Sequence, residues 1–520
     1  MAALIQDTQW LAALSLSLWT GLLATALAAT GAAWVLATVY GTAQWQHLTR
    51  WVSPMLAVPH AAFAIGLVVL IAPSGWLLRM VSPWATGLHA PPPWASTQDP
   101  WGLGLIAVLV LKEIPFLLWA AMAHLQRADI AQRLQRELLL CHTMGYDTKQ
   151  AWWRVGWPQL LPNLYGPLIA VLAYGLTVVD VALVIGPTNP PTLAVLAWQW
   201  LQDADAATNT QGVAAAWVLA AVVIVAACVG WAGMQLPLWR AHWTCGLPAK
   251  PRPAIPIKYR VNGHRTRWPS ASLALLLLAY AAVLMALALG SVIGSWPFPL
   301  LMPEALTWEA WKAVEASSAT ISTTVWIGLA SSATALVMAM ALLELAPKRW
   351  AAPMQAVLYV PLVLPAVLWT IGLHRLALAW NIDATGCGLW LAHTLSNLPY
   401  VVLALQGPYA GFDARMAQVA SSLGRTRSAF LLQVKWPLLR AALAASFAVG
   451  FAVSVAQYLP TLYVGAGRFN TVTTEAVQLA AGGQRSLTAA YAWLQWALPV
   501  LVFGVAVWLG RARRFGTLSM

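Results

Sequence analysis

Long apolar runs recur from one end of the chain to the other, separated by short polar or basic intervals. They cover about 11–39, 52–72, 101–123, 163–186 and 212–238, and then 271–295, 318–345, 353–374, 386–406, 439–465 and 489–510. A helix of about 20 apolar residues crosses a hydrocarbon core about 30 Å thick. The pattern therefore predicts an all-α polytopic membrane protein with about 11 transmembrane helices. A membrane β-barrel would instead alternate apolar and polar residues over short segments, and no such alternation is present.

Composition agrees. Of the 520 residues, 60% are hydrophobic and 9% charged, against about 25% charged in soluble domains. Several of the 32 Trp (Trp10, Trp34, Trp51, Trp350, Trp508) fall at run ends and suit an interfacial belt. The formal net charge is +13, which in a soluble protein would point to nucleic acid. Here Lys and Arg collect in the short intervals 127–154, 239–267, 348–349 and 415–440 and in the tail Arg511–Arg514. That clustering sets membrane orientation, with these intervals and the C-terminus cytoplasmic, and implies no nucleic-acid partner. The four Cys lack metal-ligand spacing and read as packing or incidental residues. The first apolar segment is too long for a cleavable signal peptide.

The chain repeats itself. Ser15-x-Ser17-x-Trp19-x-Gly21-Leu22 matches Ser322-x-Thr324-x-Trp326-x-Gly328-Leu329. Pro59 and Gly66 match Pro365 and Gly372, Ile114-Pro115-Phe116 matches Leu398-Pro399-Tyr400, and Gly186 matches Gly465. Matches in one order indicate duplication. The expected division is a first domain at 1–238 with about five spans, an irregular basic linker at 239–270, and a second domain at 271–520 with about six. Equal orientation of the halves makes them parallel repeats. Either the first half lacks a leading span or its start is placed late.

The clearest copies are polar. Leu139–Pro158 and Gln418–Pro437 lie within basic intervals 128–162 and 408–440. Each carries a Gly thirteen residues before a Pro, Gly145 to Pro158 and Gly424 to Pro437, and each closes on Val-x-Trp-Pro through Val155 and Val434. Arg154 and Arg425 add positive charge. The Gly turns the chain. The Pro fits the first turn of a following helix. Leu139, Leu140 and Cys141 in one copy, and Val419, Ala420 and Ser421 in the other, predict a short helix lying on a partner.

This spacing resembles the EAA loop of ABC importer permeases, and with the Trp-x-Gly-Leu first helix the resemblance covers nearly the whole chain. Fusion of two such domains is similar to the ferric iron and thiamine permeases and to the Ynj-type fused permeases. The acidic place of the loop holds Leu139 in one copy and Gln418 in the other, and Trp157 and Trp436 replace the Leu before the Pro. The resemblance implies two parallel MetI-like permease domains. It also implies coupling helices at Gly145, Arg154, Val155 and Pro158 and at Gly424, Arg425, Val434 and Pro437. The expected partners are two copies of a cytoplasmic ABC ATPase, a periplasmic or extracellular solute-binding protein and the lipid bilayer. No Gly-Lys-Ser or Gly-Lys-Thr occurs, so ATP and Mg belong to the partner. The chain itself is expected to hold no cofactor, no metal and no catalytic residue. An ion-coupled secondary transporter with parallel repeats, and a membrane scaffold without transport, are the alternatives.

Charges inside spans cost roughly 2.5–3.5 kcal/mol on insertion scales and need a reason. Lys112, Glu113 and Asp180 fall within apolar runs, and comparable places in the second half hold Asn397, Gln457 and Tyr458. In the family these helices line the solute path between the halves. Glu113 and Asp180 then either face that path and favour a cation, or pair with Lys112 as a buried ion pair.

Overall fold

In the computed structural model, the described residues are 4, 7–42, 44–146, 148–236 and 270–511. The basic linker expected at 239–270 lies outside them except for Ser270, and so does the tail beyond Arg511. Among the described residues the secondary structure is helical, with two isolated bridges. The chain divides into two compact units, Met1–Thr307 with Val363–Leu368, and Trp308–Leu362 with Trp369–Met520.

The main helices of the first unit are α1 Trp10–Val39, α2 Trp45–Leu56, α3 His60–Ile71, α4 Leu103–Leu125, α5 Ala128–Thr143, α6 Tyr165–Thr177, α7 Asp180–Ile185, α8 Leu193–Leu201, α9 Ala206–Gln235 and α10 Ala271–Gly290. Helix α1 is the hub, packing against α4, α6, α8 and α10. Helix α10, which the sequence groups with the second half, lies in this unit against α3. A Cβ on Gly66 would sit 2.7 Å from Val283 Cγ1 and 2.9 Å from the Val283 carbonyl, so glycine lets α3 and α10 approach closely. Around it Phe63 packs on Tyr280, and the Tyr280 hydroxyl donates to the Leu111 carbonyl at 3.1 Å.

The second unit is built mainly from α11 Ser318–Leu345, α12 Ala351–Val363, α13 Ala366–Ala379, α14 Gly386–Ala410, α15 Arg415–Ser422, α16 Arg440–Ala456, α17 Leu459–Gly465, α18 Val472–Ala481 and α19 Arg485–Gly510. Ala335 and Ala339 of α11 pack on Val401, Val402 and Leu405 of α14. Helix α16 packs on α11, α14 and α19.

Among the described residues, nine helices are long and apolar enough to cross a membrane. There are ten if Arg427–Leu438 and Arg440–Ala456, bent by 75°, form one span. The expectation of about 11 differs in the run at 353–374. It splits into α12 and α13 at Leu364–Pro365, because proline has no N–H to donate and disfavours a helical residue before it. The run at 52–72 breaks likewise, with Pro59 extended at φ −64°, ψ 149° before α3.

Two further runs break without proline at the break, and they do so at matching places. Helix α6 ends at Thr177 and α7 begins at Asp180, while α16 ends at Ala456 and α17 begins at Leu459. The first linking residue is extended in both (Val178 φ −66°, ψ 132°; Gln457 φ −69°, ψ 121°). The second returns towards helix (Val179 φ −110°, ψ −52°; Tyr458 φ −104°, ψ −66°). The repeat is thus written in the backbone where the side chains have diverged.

Its internal bonds repeat as well. The Leu193 N–H at the start of α8 donates to Ser17 Oγ at 2.8 Å, and the Val472 N–H at the start of α18 donates to Thr324 Oγ1 at 3.0 Å. Ser17 and Thr324 are the hydroxyls that the first-helix motif aligns. Each satisfies one of the donors that a helix N-terminus leaves without an intrahelical acceptor.

Overpacking a tight contact costs about 1–3 kcal/mol. Gly66→Ala is therefore expected to lower the thermal unfolding temperature of the detergent-solubilised chain. Its repeat counterpart Gly372→Ala, where a Cβ meets nothing within 4 Å, is expected to leave that temperature nearly unchanged.

Candidate functional site

The two glycine-turned segments adopt one geometry. Helix α5 ends at Thr143 and Gly145 takes φ +86°, and α15 ends at Ser422 and Gly424 takes φ +70°. The Gly145 N–H donates to the His142 carbonyl at 3.1 Å and the Tyr146 N–H to the Cys141 carbonyl at 3.0 Å. The Gly424 N–H donates to Ser421 and the Arg425 N–H to Ala420, both at 3.0 Å. These are paired Schellman caps, in which a left-handed glycine lets the chain satisfy the last helical carbonyls and turn away. A Cβ at either glycine would meet nothing within 4 Å, so the demand is conformational.

After each turn comes a short α-turn and then a π-helical stretch, Trp152–Gly156 and Leu431–Lys435, at the same 279-residue offset. The Trp157 N–H reaches back five residues to Trp152, and the Trp436 N–H to Leu431. Proline explains the widening. Pro158 and Pro437 have no N–H for the carbonyls four residues earlier, and a π-turn re-pairs the chain around the gap. Pro158 is buried and Pro437 exposed; Val155, Val434 and Arg154 are half-buried, and Arg425 is exposed.

The face before each glycine is apolar and open. Leu140 is 61% exposed and Met144 69%; their counterparts Val419 and Leu423 are 58% and 73% exposed. Leu139 is likewise exposed.

What holds the segments in place differs. In the first unit Tyr40, at the end of α1, stacks on Trp152 with ring centroids 5.1 Å apart. Glu137 of α5 accepts from Arg133 Nε at 2.9 Å and Gln159 Nε2 at 2.5 Å. Partial burial raises the Glu137 carboxyl, but those bonds outweigh it and hold the group below its ordinary value. In the second unit Lys435 Nζ lies 2.6 Å from Glu344 Oε2, and Arg427 contacts Glu344 Oε1 at 3.1 Å. Lys435 also sits 4.2 Å from the Tyr409 ring centroid, and Trp436 Nε1 donates to the Tyr409 hydroxyl at 3.0 Å.

The intramembrane charges of the first unit are resolved differently from a Lys–carboxylate pair. Lys112 is buried, and its Nζ donates to the Met55 carbonyl at 3.1 Å and the Val58 carbonyl at 2.6 Å. These carbonyls belong to the break between α2 and α3, where helical donors are missing. Glu113 pairs instead with His60 Nε2 at 3.1 Å. His60 opens α3, its ring lies 4.6 Å from that of Tyr174, and its electrostatic influence reaches Asp180 at the start of α7. Lys112 thus shapes the break, while His60, Glu113 and Asp180 form the polar cluster.

The second unit places neutral groups in the comparable region. Asn397 is fully buried and its Nδ2 donates to Ser331 Oγ at 2.9 Å. Ser331 Oγ contacts Ser454 Oγ at 3.3 Å, and buried His393 bridges Ser454 Oγ at 2.8 Å and Thr461 Oγ1 at 3.0 Å. Gln457 and Tyr458 form the adjoining break, Gln457 half-buried and Tyr458 buried. Among the described residues no group of three or more His, Cys, Asp or Glu is placed to hold a metal ion.

Sequence reading misses His60, His393, Glu344 and Arg79. A titratable residue opening an apolar run just after Pro59, and the single carboxylate of the 318–345 run, were the available signals for the first and third. Arg79 is buried in the interval 73–100. It donates to the carbonyls of Ser74, Trp296, Pro297 and Leu300 at 2.8–3.0 Å and lies 3.8 Å from the Trp296 ring centroid.

No protein-family model matches the chain. Over 523 aligned residues it is 32% identical to the inner membrane ABC transporter permease protein YnjC of Escherichia coli, covering 98% of this chain and 91% of that protein. It is 26% identical over 107 residues to the spermidine/putrescine transport system permease protein PotC of Haemophilus influenzae, covering 21% of this chain and 42% of that one. The Escherichia coli PotC is 28% identical over a stretch of the same length.

Gly145→Ala and Gly424→Ala each force a side chain into the left-handed region, at about 1 kcal/mol. Roughly five-fold faster hydrogen exchange is expected over the last turn of α5 or α15 respectively. Asn at the same positions should cost less than Ala, which exchange mass spectrometry can check.

Proposed function

The chain belongs to the ABC transporter permease family, and from that premise we propose that its two glycine-turned segments are the surfaces through which two cytoplasmic ATPase subunits drive it. It is the multi-pass inner-membrane permease subunit of an importer, and its partners are of two kinds, an ATPase and a solute-binding protein. The secondary-transporter and scaffold alternatives give way to this membership. ATP and Mg are held on the ATPase, and this chain contributes no catalytic group.

One observation carries the coupling assignment. Schellman cap, π-turn and Trp-Pro recur at one offset, and each presents a pair of exposed apolar residues, Leu140 with Met144 and Val419 with Leu423. An apolar helix face rimmed by basic residues suits insertion into a groove on a partner. Basic clustering puts these segments and the C-terminus on the cytoplasmic side. The intervals 73–100 and 296–307 then face outward, where Arg79 joins them into a single firm surface for the solute-binding protein.

For the solute path we assign Glu113 and Asp180 in the first unit, with His60 as their neighbour, and Asn397, Gln457 and Tyr458 in the second. Helix breaks at Val178–Val179 and Gln457–Tyr458 bring backbone polar groups to membrane depth, which is tolerated where they are buried in protein or line a wet cavity. Two carboxylates favour a cationic solute. Spermidine and putrescine, named for the PotC relatives, are of that class, as are ferric iron and thiamine.

Two measurements test these assignments. Gly145→Glu combined with Gly424→Glu is expected to leave the chain in the membrane but abolish co-purification of the ATPase; retained stimulation of ATP turnover would remove the coupling role. Asp180→Asn is expected to reduce uptake about ten-fold or more, in line with loss of a paired charge at membrane depth, without reducing ATPase binding. Unchanged uptake would take Asp180 out of the path.

A further inference from the structure

We propose that Glu344 is the positioning residue through which the second coupling segment moves α11, and that the first segment has no ionic counterpart. The inference rests on the coupling assignment above. Helix α11 ends at Leu345, so Glu344 sits in its last turn, where carbonyls lack helical donors and the helix dipole attracts cations. Arg427 and Lys435 both lie there. One Arg427 NH2 reaches the Glu344 backbone carbonyl at 2.8 Å and its carboxylate at 3.1 Å, while Lys435 reaches the other carboxylate oxygen.

The two pairs are not equal. The Lys435 and Glu344 side chains are 14% and 15% exposed, so water screens them weakly; Arg427 is 64% exposed and adds less. Lys435 is further fixed against the Tyr409 ring. Arg427 and Lys435 bracket the α-turn and π-turn that follow Gly424. A push on that segment therefore arrives at the foot of α11 through charge pairs anchored at both ends.

Helix α11 then carries the displacement inward. Ser331, the partner of Asn397 and Ser454, lies thirteen residues back along the same helix, about 20 Å at 1.5 Å per residue. Thr324, which caps α18, lies two turns further. In the first unit Thr148 and Gly156 occupy the places of Arg427 and Lys435, and the contact to the end of α1 is the Tyr40–Trp152 ring pair. A ring pair permits sliding that a short ion pair does not.

The test uses the full chain assembled with its ATPase in lipid vesicles, with native cysteines replaced by Ser. Nitroxide labels at Ser322→Cys and Gln484→Cys report the outer end of α11 against the start of α19 before and after trapping with ATP and vanadate. With Glu344 intact the label distance is expected to shift on trapping. Glu344→Gln is expected to remove at least about half of that shift while ATP turnover stays within about two-fold, as a lost coupling energy rather than a lost site. Glu344→Asp and Lys435→Arg are expected to retain the shift, and so is Tyr40→Leu. An unaltered shift in Glu344→Gln overturns the proposal, as does a parallel loss of shift and turnover, which would make Glu344 a support for docking. Failure of the unmutated chain to bind the ATPase at all would instead overturn the coupling assignment.

Discussion

Every interruption of a helix at membrane depth must have its backbone polar groups satisfied from within the protein, because hydrocarbon offers no partner. Much of this chain is organised by that requirement. The break between α2 and α3 is closed by Lys112, whose ammonium takes the carbonyls of Met55 and Val58. The N-termini of α8 and α18 are met by Ser17 and Thr324. The widened turns before Pro158 and Pro437 re-pair carbonyls that proline leaves unmatched. A permease needs such interruptions, since they are where a polar solute can find polar protein. The cost of each is met by one side chain or one backbone adjustment.

The two halves show which of these solutions are interchangeable. Backbone devices persist: the glycine turns, the π-turns and the extended residues at Val178 and Gln457 all recur at one offset. Side-chain devices diverge. Buried charge in the first unit, with His60 against Glu113, stands beside a neutral network of His393, Asn397 and serines in the second. Charge is costly at that depth, so the half that keeps it is the better place to seek solute contact.

Much of the architecture was legible in the sequence because apolar length and Gly-to-Pro spacing are one-dimensional signals. Run lengths anticipated the spans, and the paired glycines anticipated the turns at Gly145 and Gly424. The failures have a common cause. The run at 353–374 looked continuous because Pro365 is one residue in an apolar stretch, yet it splits the helix. The breaks at Val178–Val179 and Gln457–Tyr458 carry no proline and no glycine and are set by tertiary packing. Lys112 beside Glu113 invited an ion pair, but helix geometry points neighbouring residues about 100° apart, and each found a different partner. The Glu344–Lys435 pair joins residues 91 apart in sequence, a separation no local pattern reports.

The unlike tethers, Tyr40 on Trp152 and Glu344 with Lys435, also bear on why two halves share one polypeptide. In a homodimer any substitution appears twice, so an ion pair acquired by one protomer is acquired by both. A fused chain escapes that symmetry. Each half can drift alone, its ratio to the other fixed at one to one by translation. Asymmetry then becomes heritable, and one half can specialise as the stiff lever while the other remains the compliant one.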